Sequence, residues 1–155
     1  MTAEPLLTLT ASLLAKHKLD AVLIGNAAAA LQGAPVTTLD LDFMFVESPA
    51  NLRKLRGIAR DLGGSVLRPY YPASSLFRVS RDSDGLQLDF MAKIDGIRSF
   101  RGIRSRASVL TLEKHSLLVA SLSDVIKSKA AAGRPQDRAV LPLLRETLRE
   151  TKTEA

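Results

Sequence analysis

The stretch Leu39-Asp40-Leu41-Asp42-Phe43-Met44-Phe45-Val46 constrains the fold more than any other part of the chain. Read as a strand, it puts Leu39, Leu41, Phe43 and Phe45 on one face and Asp40, Asp42, Met44 and Val46 on the other. A second face that was merely solvated would stay polar along its length. This one turns apolar at Met44 and Val46, so the pattern predicts a strand buried on both faces with two carboxylates at its beginning. Carboxylates at i and i+2, about 7 Å apart along a strand, repel unless cations or donors neutralise them. A hard ion such as Mg²⁺ is the economical answer, because it takes oxygen ligands and is commonly shared with substrate phosphates. Two ordinary surface aspartates are the other reading of the same residues.

A second strand has the same signature. In Leu86-Gln87-Leu88-Asp89-Phe90-Met91, Asp89 lies on the face with Gln87 and Met91, an acid interrupting a mostly apolar run. If the two strands are neighbours in one sheet, Asp40, Asp42 and Asp89 converge on one edge, enough for a one-metal or two-metal site. A third element is Ile24-Gly25-Asn26-Ala27-Ala28, a glycine between a predicted strand and a predicted helix. It permits a tight turn, and exposed N–H groups at the helix start attract phosphate. No Gly-Lys-Ser/Thr follows and the further glycines of the dinucleotide fingerprint are missing, so taken alone the turn is better explained by packing.

Around these motifs the chain reads as alternating helices and short strands. A helix is predicted from Leu6 to about His17, a strand from Asp20 to Ile24, a helix from Asn26 to Gln32, and a helix from Ser48 and Pro49 to about Leu62. Ser65 to Leu67 and the pair Leu76 to Ser80 and Leu86 to Ala92 read as strands, the pair joined as a hairpin across Asp82-Ser83-Asp84-Gly85. Ile97 to Ile103 is predicted as a short helix, and Ser108 to Leu112 and Leu117 to Ala120 as apolar runs flanking a turn at Glu113, Lys114 and His115. A helix from Ser121 or Ser123 to Ala132 ends at Gly133, and Pro135 starts a last helix to about Glu150. The expected fold class is α+β, one domain over residues 1–155, with a sheet region at about 19–95 and a basic helical part at about 96–150.

With 155 residues, 46% hydrophobic and 25% charged, the chain has the composition of an ordinary globular domain and not of a disordered or collagen-like one. The absence of cysteine excludes disulfides, thiolate zinc sites and a cysteine nucleophile. The longest nearly apolar run, Ala21 to Leu31, is about half of the ~20 residues a membrane-spanning helix needs, so no membrane association is expected. No secretory signal is visible after Met1, which makes the cytoplasm the expected location. The net charge of +6 is unevenly placed: residues 1–95 balance ten basic against ten acidic groups, and the last 60 carry twelve against six. That excess suits a phosphate-bearing partner or a solvated surface. Arg98, Arg101, Arg104 and Arg106 read as a solvated helix edge ahead of a contact for an RNA acceptor or nucleotide phosphates, Tyr70 and Tyr71 as loop packing ahead of a platform for a base, and His17 and His115 as surface residues. Gly133-Arg134-Pro135 is explained as a helix stop and restart, with no chemistry assigned to Arg134.

A glycine turn opening a helix, Asp-x-Asp on the next strand 15 residues after Gly25, and an Asp on a later strand together resemble the nucleotidyltransferases of the DNA polymerase beta superfamily. More narrowly, the segment from Asp124 through Lys129 and Gly133-Arg134-Pro135 to Asp137 resembles small bacterial members, including the toxins of abortive-infection type toxin–antitoxin pairs. The resemblance covers about Leu19 to Leu144. It implies a mixed sheet with packed helices and a C-terminal helical pair. It also implies transfer of a nucleoside monophosphate from an NTP, such as ATP, to a hydroxyl on RNA (tRNA-like) or protein, with an antitoxin protein as a further partner.

By the same resemblance Gly25, Asn26, Thr38 and Lys129 would bind the nucleotide, and Asp40, Asp42 and Asp89 would hold two Mg²⁺ ions, one of them carried by the NTP. Asp89 would also assist deprotonation of the acceptor hydroxyl. Two positions depart from the pattern: Asn26 stands where Gly or Ser is usual, and Val36 where related small members carry Arg. A non-catalytic module on the same fold, binding a protein or nucleic-acid partner through the basic C-terminal surface, is the rival reading.

Overall fold

A computed structural model describes residues 4–38 and 40–154. The elements, in chain order, are α1 (Glu4–Lys16), β1 (Ala21–Ile24), α2 (Gly25–Leu31), β2 (Leu41–Phe45), α3 (Pro49–Leu62), β3 (Gly64–Leu67), β4 (Phe77–Arg81), β5 (Gln87–Met91), α4 (Phe100–Arg106), β6 (Ser108–Leu112), β7 (His115–Val119), α5 (Leu122–Ala132) and α6 (Pro135–Glu154). The strands form one mixed sheet in the order β3-β4-β5-β2-β1-β7-β6. The central strands β2 and β5 run parallel, as do β1 and β7, and the remaining neighbours are antiparallel. This is the α+β mixed sheet with packed helices expected from the sequence, closed by the helical pair α5–α6.

Local chemistry explains most element boundaries. Ser48 caps α3 by accepting a hydrogen bond from the Asn51 N–H at 3.1 Å, Pro49 follows at the first helical position, and Gly63 ends the helix in the left-handed region at φ 73°. Leu55, Ile58, Ala59 and Leu62 line the buried side of α3 while Arg53, Arg56 and Arg60 stay in water. In α2, Ala27, Ala28 and Ala29 are buried, and their small side chains let the helix lie close against β1, β2 and α5. Helix α1 packs on β6 and β7, α3 on β3 and β4, and the two helices meet where the His17 ring fills the space beside Gly57.

The core is an aromatic layer across β4, β5 and β2. Phe43 stacks on Phe90 with ring centroids 5.1 Å apart, and Phe45 meets Phe90 and Phe77 edge-on at 5.9 and 6.0 Å. These four rings are the inward face that the alternation of the Asp-x-Asp strand demands.

Several expectations are corrected. Strand β2 begins at Leu41, so Asp40 stands just before it, and Leu39 lies outside the described residues. Met44 is buried as expected, but Val46 lies beyond the strand end and is 49% exposed. The helix read at Ile97 to Ile103 is shifted to Phe100–Arg106, because Ser99 caps it by accepting from the Gly102 N–H and Gly96 turns the chain at φ 77°. His115 belongs to β7 rather than to the turn, which consists of Glu113 and Lys114. The segment read as basic and helical therefore also supplies the hairpin β6–β7 to the sheet. His17 is not a plain surface residue: its Nε2 lies 2.7 Å from the Asp61 carboxylate, which also accepts from Lys16 Nζ at 2.8 Å. Among the described residues no helix is long and apolar enough to cross a membrane.

Phe90 is fully buried between Phe43 and Phe45. Phe90→Ala is expected to lower the unfolding free energy by about 3–5 kcal/mol, measured by urea denaturation. A loss under about 1 kcal/mol would show that the aromatic layer does not hold the central strands together.

Candidate active site

Strand register builds the site. Ile24, at the end of β1, pairs with Asp42 of β2; Asp42 pairs with Asp89 of β5; Asp89 pairs with Arg78 of β4. Directly paired residues point to the same side of a sheet. Asp42, Asp89 and Arg78 therefore form one row, on the side opposite the phenylalanine layer. The row opens into a cleft of about 580 Å³, walled across from the sheet by α5 and the start of α6. Gly25, Asn26, Thr38, Asp40, Asp42, Asp89 and Lys129, the seven residues singled out from the sequence, all line this cleft.

Gly25 is required at its position for two reasons. Its φ is +70°, and a Cβ there would come within 3.3 Å of Asp42 Oδ2, so the bare backbone is what lets the β1–α2 turn lie against the carboxylate. Next to it, Asn26 Oδ1 is buried without a hydrogen-bond partner, alone in this among the described side chains. An open acceptor in a cleft is a place for a ligand donor. Asp40 is exposed, and its N–H donates to Thr38 Oγ1 at 3.0 Å, which ties Thr38 to the approach to β2.

The acids differ in their surroundings. Asp42 has its carboxyl pushed up to about 6, first by burial and then by the charges of Asp89 and Asp40, with Lys129 and Arg78 pulling the other way. Asp89 is gripped at both oxygens by Arg78, Nε to Oδ1 at 2.9 Å and a terminal nitrogen to Oδ2 at 3.1 Å. That pair, with Tyr70 contributing, holds the Arg78 guanidinium above its ordinary value.

On the opposite wall Asp137, 1% exposed, accepts from Arg134 Nε at 2.7 Å and from a second guanidinium nitrogen at 3.1 Å. Lys129 Nζ stands 3.6 Å from the same carboxylate. Arg134 keeps the Asp137 carboxyl below its ordinary range despite its burial. Asp124, also buried on the cleft, accepts from Arg106 Nε at 2.8 Å.

Among the described residues no three His, Cys, Asp or Glu side chains are grouped closely enough to hold a metal ion, and Asp89 is turned to Arg78. Asp40 and Asp42 nevertheless fit Mg²⁺: they are hard oxygen donors, Asp42 is short of neutralising charge, and Mg²⁺ is commonly bound through one or two carboxylates plus phosphate and water.

Some cleft residues escaped the sequence reading. Arg134, by its sequence only part of a helix restart, lines the cleft and binds Asp137; its i,i+3 spacing from Asp137 is the signal the sequence offers. Arg78 left no local signal, because its partner depends on strand register. The two tyrosines read as loop packing are both exposed, Tyr70 at 55% and Tyr71 at 62%: Tyr71 lies under the Arg68 guanidinium at 3.9 Å, and Tyr70 lines the cleft. In the arginine cluster Arg104 pairs with Asp20 at 2.7 Å and Arg106 with Asp124, while Arg98 and Arg101 are exposed.

No family model and no curated protein matches this sequence. Solved structures do match the fold. The lincosamide antibiotic adenylyltransferase LnuA, solved with lincomycin bound, superposes with a TM-score of 0.60 at 13% identity, over 88% of this chain and 92% of that one. The antibiotic-resistance factor ANT(2'')-Ia gives 0.62 at 16% identity, over 96% and 85%. A third, TM1012 of Thermotoga maritima, a proposed nucleotidyltransferase, gives 0.55 at 21% identity, over 93% and 88%. The chain has the nucleotidyltransferase fold.

In this nucleotidyltransferase-fold chain the crowding of Asp42 has a measurable cost. A carboxyl raised from 3.8 to about 6 on folding binds more protons in the native than in the unfolded state between those values, so stability falls as pH rises through that window. In chelator-treated protein, Asp42→Asn is expected to raise the unfolding free energy by about 2 kcal/mol at pH 7, with the gain fading towards pH 4. Urea titrations at pH 4, 5.5 and 7 read this directly. An Asn variant less stable than wild type at pH 7 would contradict it.

Proposed function

We propose that the chain is a Mg²⁺-dependent nucleotidyltransferase that moves a nucleoside monophosphate from an NTP to a hydroxyl of an RNA acceptor. The observation behind this reading is the meeting of Asp40, Asp42 and Asp89 with Gly25, Asn26, Thr38 and Lys129 on one cleft of a nucleotidyltransferase fold. The acceptor oxygen attacks the α-phosphorus, the bond from that phosphorus to the bridging oxygen of the β-phosphate breaks, and pyrophosphate leaves. The hydroxyl proton passes to a carboxylate of the cleft. Mg²⁺ on Asp40 and Asp42 would neutralise charge on the phosphate oxygens as it develops.

The chain's own residues supply the rest. Gly25 allows phosphate to approach the backbone, and Asn26 offers an amide group with an unused acceptor. Lys129, 12% exposed and steadied by Asp137, presents a positive charge to the cleft. Loop residue Tyr70 offers a ring at the rim on which a base or an acceptor group can stack.

Of the solved structures named above, LnuA is described as an adenylyltransferase of lincosamide antibiotics and ANT(2'')-Ia as an antibiotic-resistance factor. RNA is favoured here by the twelve-to-six basic excess of the last 60 residues and by exposed Arg98 and Arg101. A toxin role belongs to the same reading, with an antitoxin protein masking the cleft or the acceptor surface.

Incubation of wild type with each α-³²P-labelled NTP, Mg²⁺ and bulk tRNA is expected to label RNA. Asp40→Ala with Asp42→Ala is expected to reduce labelling at least about 100-fold while the protein stays folded. Undiminished transfer by that double variant would overturn the mechanism. Label appearing in protein rather than RNA would change the acceptor, and Mg²⁺-insensitive partner binding without transfer would favour the non-catalytic module.

A further inference from the structure

Asp89 and Arg78 face each other across the β4–β5 pairing, and Asp89 faces Asp42 across the β2–β5 pairing. The middle acid of this row is thus shared between a fixed cation on one side and a carboxylate on the other. The fork of Arg78 takes both oxygens of Asp89 at 2.9 and 3.1 Å, with the two side chains 21% and 16% exposed. Bidentate, partly buried pairs of this kind are among the strong hydrogen-bonded ion pairs, and separating one strands a charge in a poorly solvated place.

The charge count points the same way. Asp40, Asp42 and Asp89 bring three negative charges to the row and Arg78 returns one, which leaves what a single divalent ion neutralises. Lys129 and Arg134 share the single charge of Asp137 and so add one positive charge over, which leaves the cleft still less negative charge to offer a second divalent ion. A second divalent ion on Asp89 would sit beside a guanidinium that cannot lose its proton.

Resting on the metal-dependent reading above, we infer that Arg78 takes the place of a second metal: the cleft holds one divalent ion, on Asp40 and Asp42, and Asp89 acts by holding the Arg78 guanidinium beside it. Arg78 then presents a permanent positive charge to the reacting phosphates, and Asp89 is a positioning residue rather than a metal ligand.

Mn²⁺ alone serves as the probe, with the free ion counted by electron paramagnetic resonance and folding checked by circular dichroism. Wild type is expected to bind one Mn²⁺ per chain, lost in Asp42→Asn. Arg78→Gln frees Asp89 and is expected to bind two. The double variant Arg78→Gln/Asp89→Asn removes one charge of each sign and is expected to bind one Mn²⁺ with an affinity within about threefold of wild type. This double variant leaves no unpaired charge, so it decides the matter even if Arg78→Gln does not fold.

Two Mn²⁺ on wild type, loss of the wild-type ion in the double variant, or a folded Arg78→Gln that still binds one would overturn the inference and leave the metal-dependent reading standing. No Mn²⁺ on wild type would overturn the inference as well, whereas the metal-dependent reading is decided separately by the labelling experiment, in which an ion enters with the NTP.

Discussion

Strand β2 hydrogen-bonds to β1 on one edge and β5 on the other, and that double register sets the rest of the molecule in place. Side chains on a strand alternate with a period of two, so a slip of one residue would send Asp42 into the aromatic layer and Phe43 into the cleft. Phe43, Phe45, Phe90 and Phe77 exclude the slip by packing against one another on the far face. Hydrophobic burial on one side of the sheet is therefore what forces acids together on the other. The repulsion at the row is tolerated because moving either strand would dismantle the core.

The cleft is electrostatically divided. On the β4–β5 side Arg78 answers Asp89, and on the α5–α6 side Arg134 and Lys129 answer Asp137. Between these settled pairs Asp42 and Asp40 have no ion-pair partner among the described residues, and burial, followed by the charges of Asp89 and Asp40, raises the affinity of Asp42 for a proton. On the function proposed above, such a site would take a divalent cation at its centre and phosphate at its margins, where lysine and arginine already stand. Gly25 and Asn26 contribute by what they lack: no Cβ to crowd Asp42 in the first case, and no partner for a buried amide oxygen in the second.

Much of this architecture was legible along the chain. Alternation marked the strands around Asp42 and Asp89, and Ser48, Pro49, Ser121 and Gly133 marked helix ends by chemistry that acts over three or four residues. Errors arose where a local signal competed with another. The Ile97 to Ile103 periodicity lost to the cap at Ser99, and the turn residues around His115 lost to pairing with Leu112 across the hairpin. In the site, the aspartates were conspicuous because an acid in an apolar strand is anomalous. Arg78 was not, because an arginine in a half-polar hairpin strand looks like any solvated one, and Arg134 was hidden behind a sufficient local explanation as a helix restart.

The sequence by itself determined the elements, their hydrophobic faces and the identity of the acids, since these depend on neighbours within a turn or two. Which cation answers which acid was decided only by tertiary structure. Strand order and register placed Arg78 across from Asp89, and the fold of α6 onto α5 placed Arg134 and Lys129 around Asp137. Coulombic interaction depends on distance in space and on solvent exclusion, and neither quantity is written in separation along the chain.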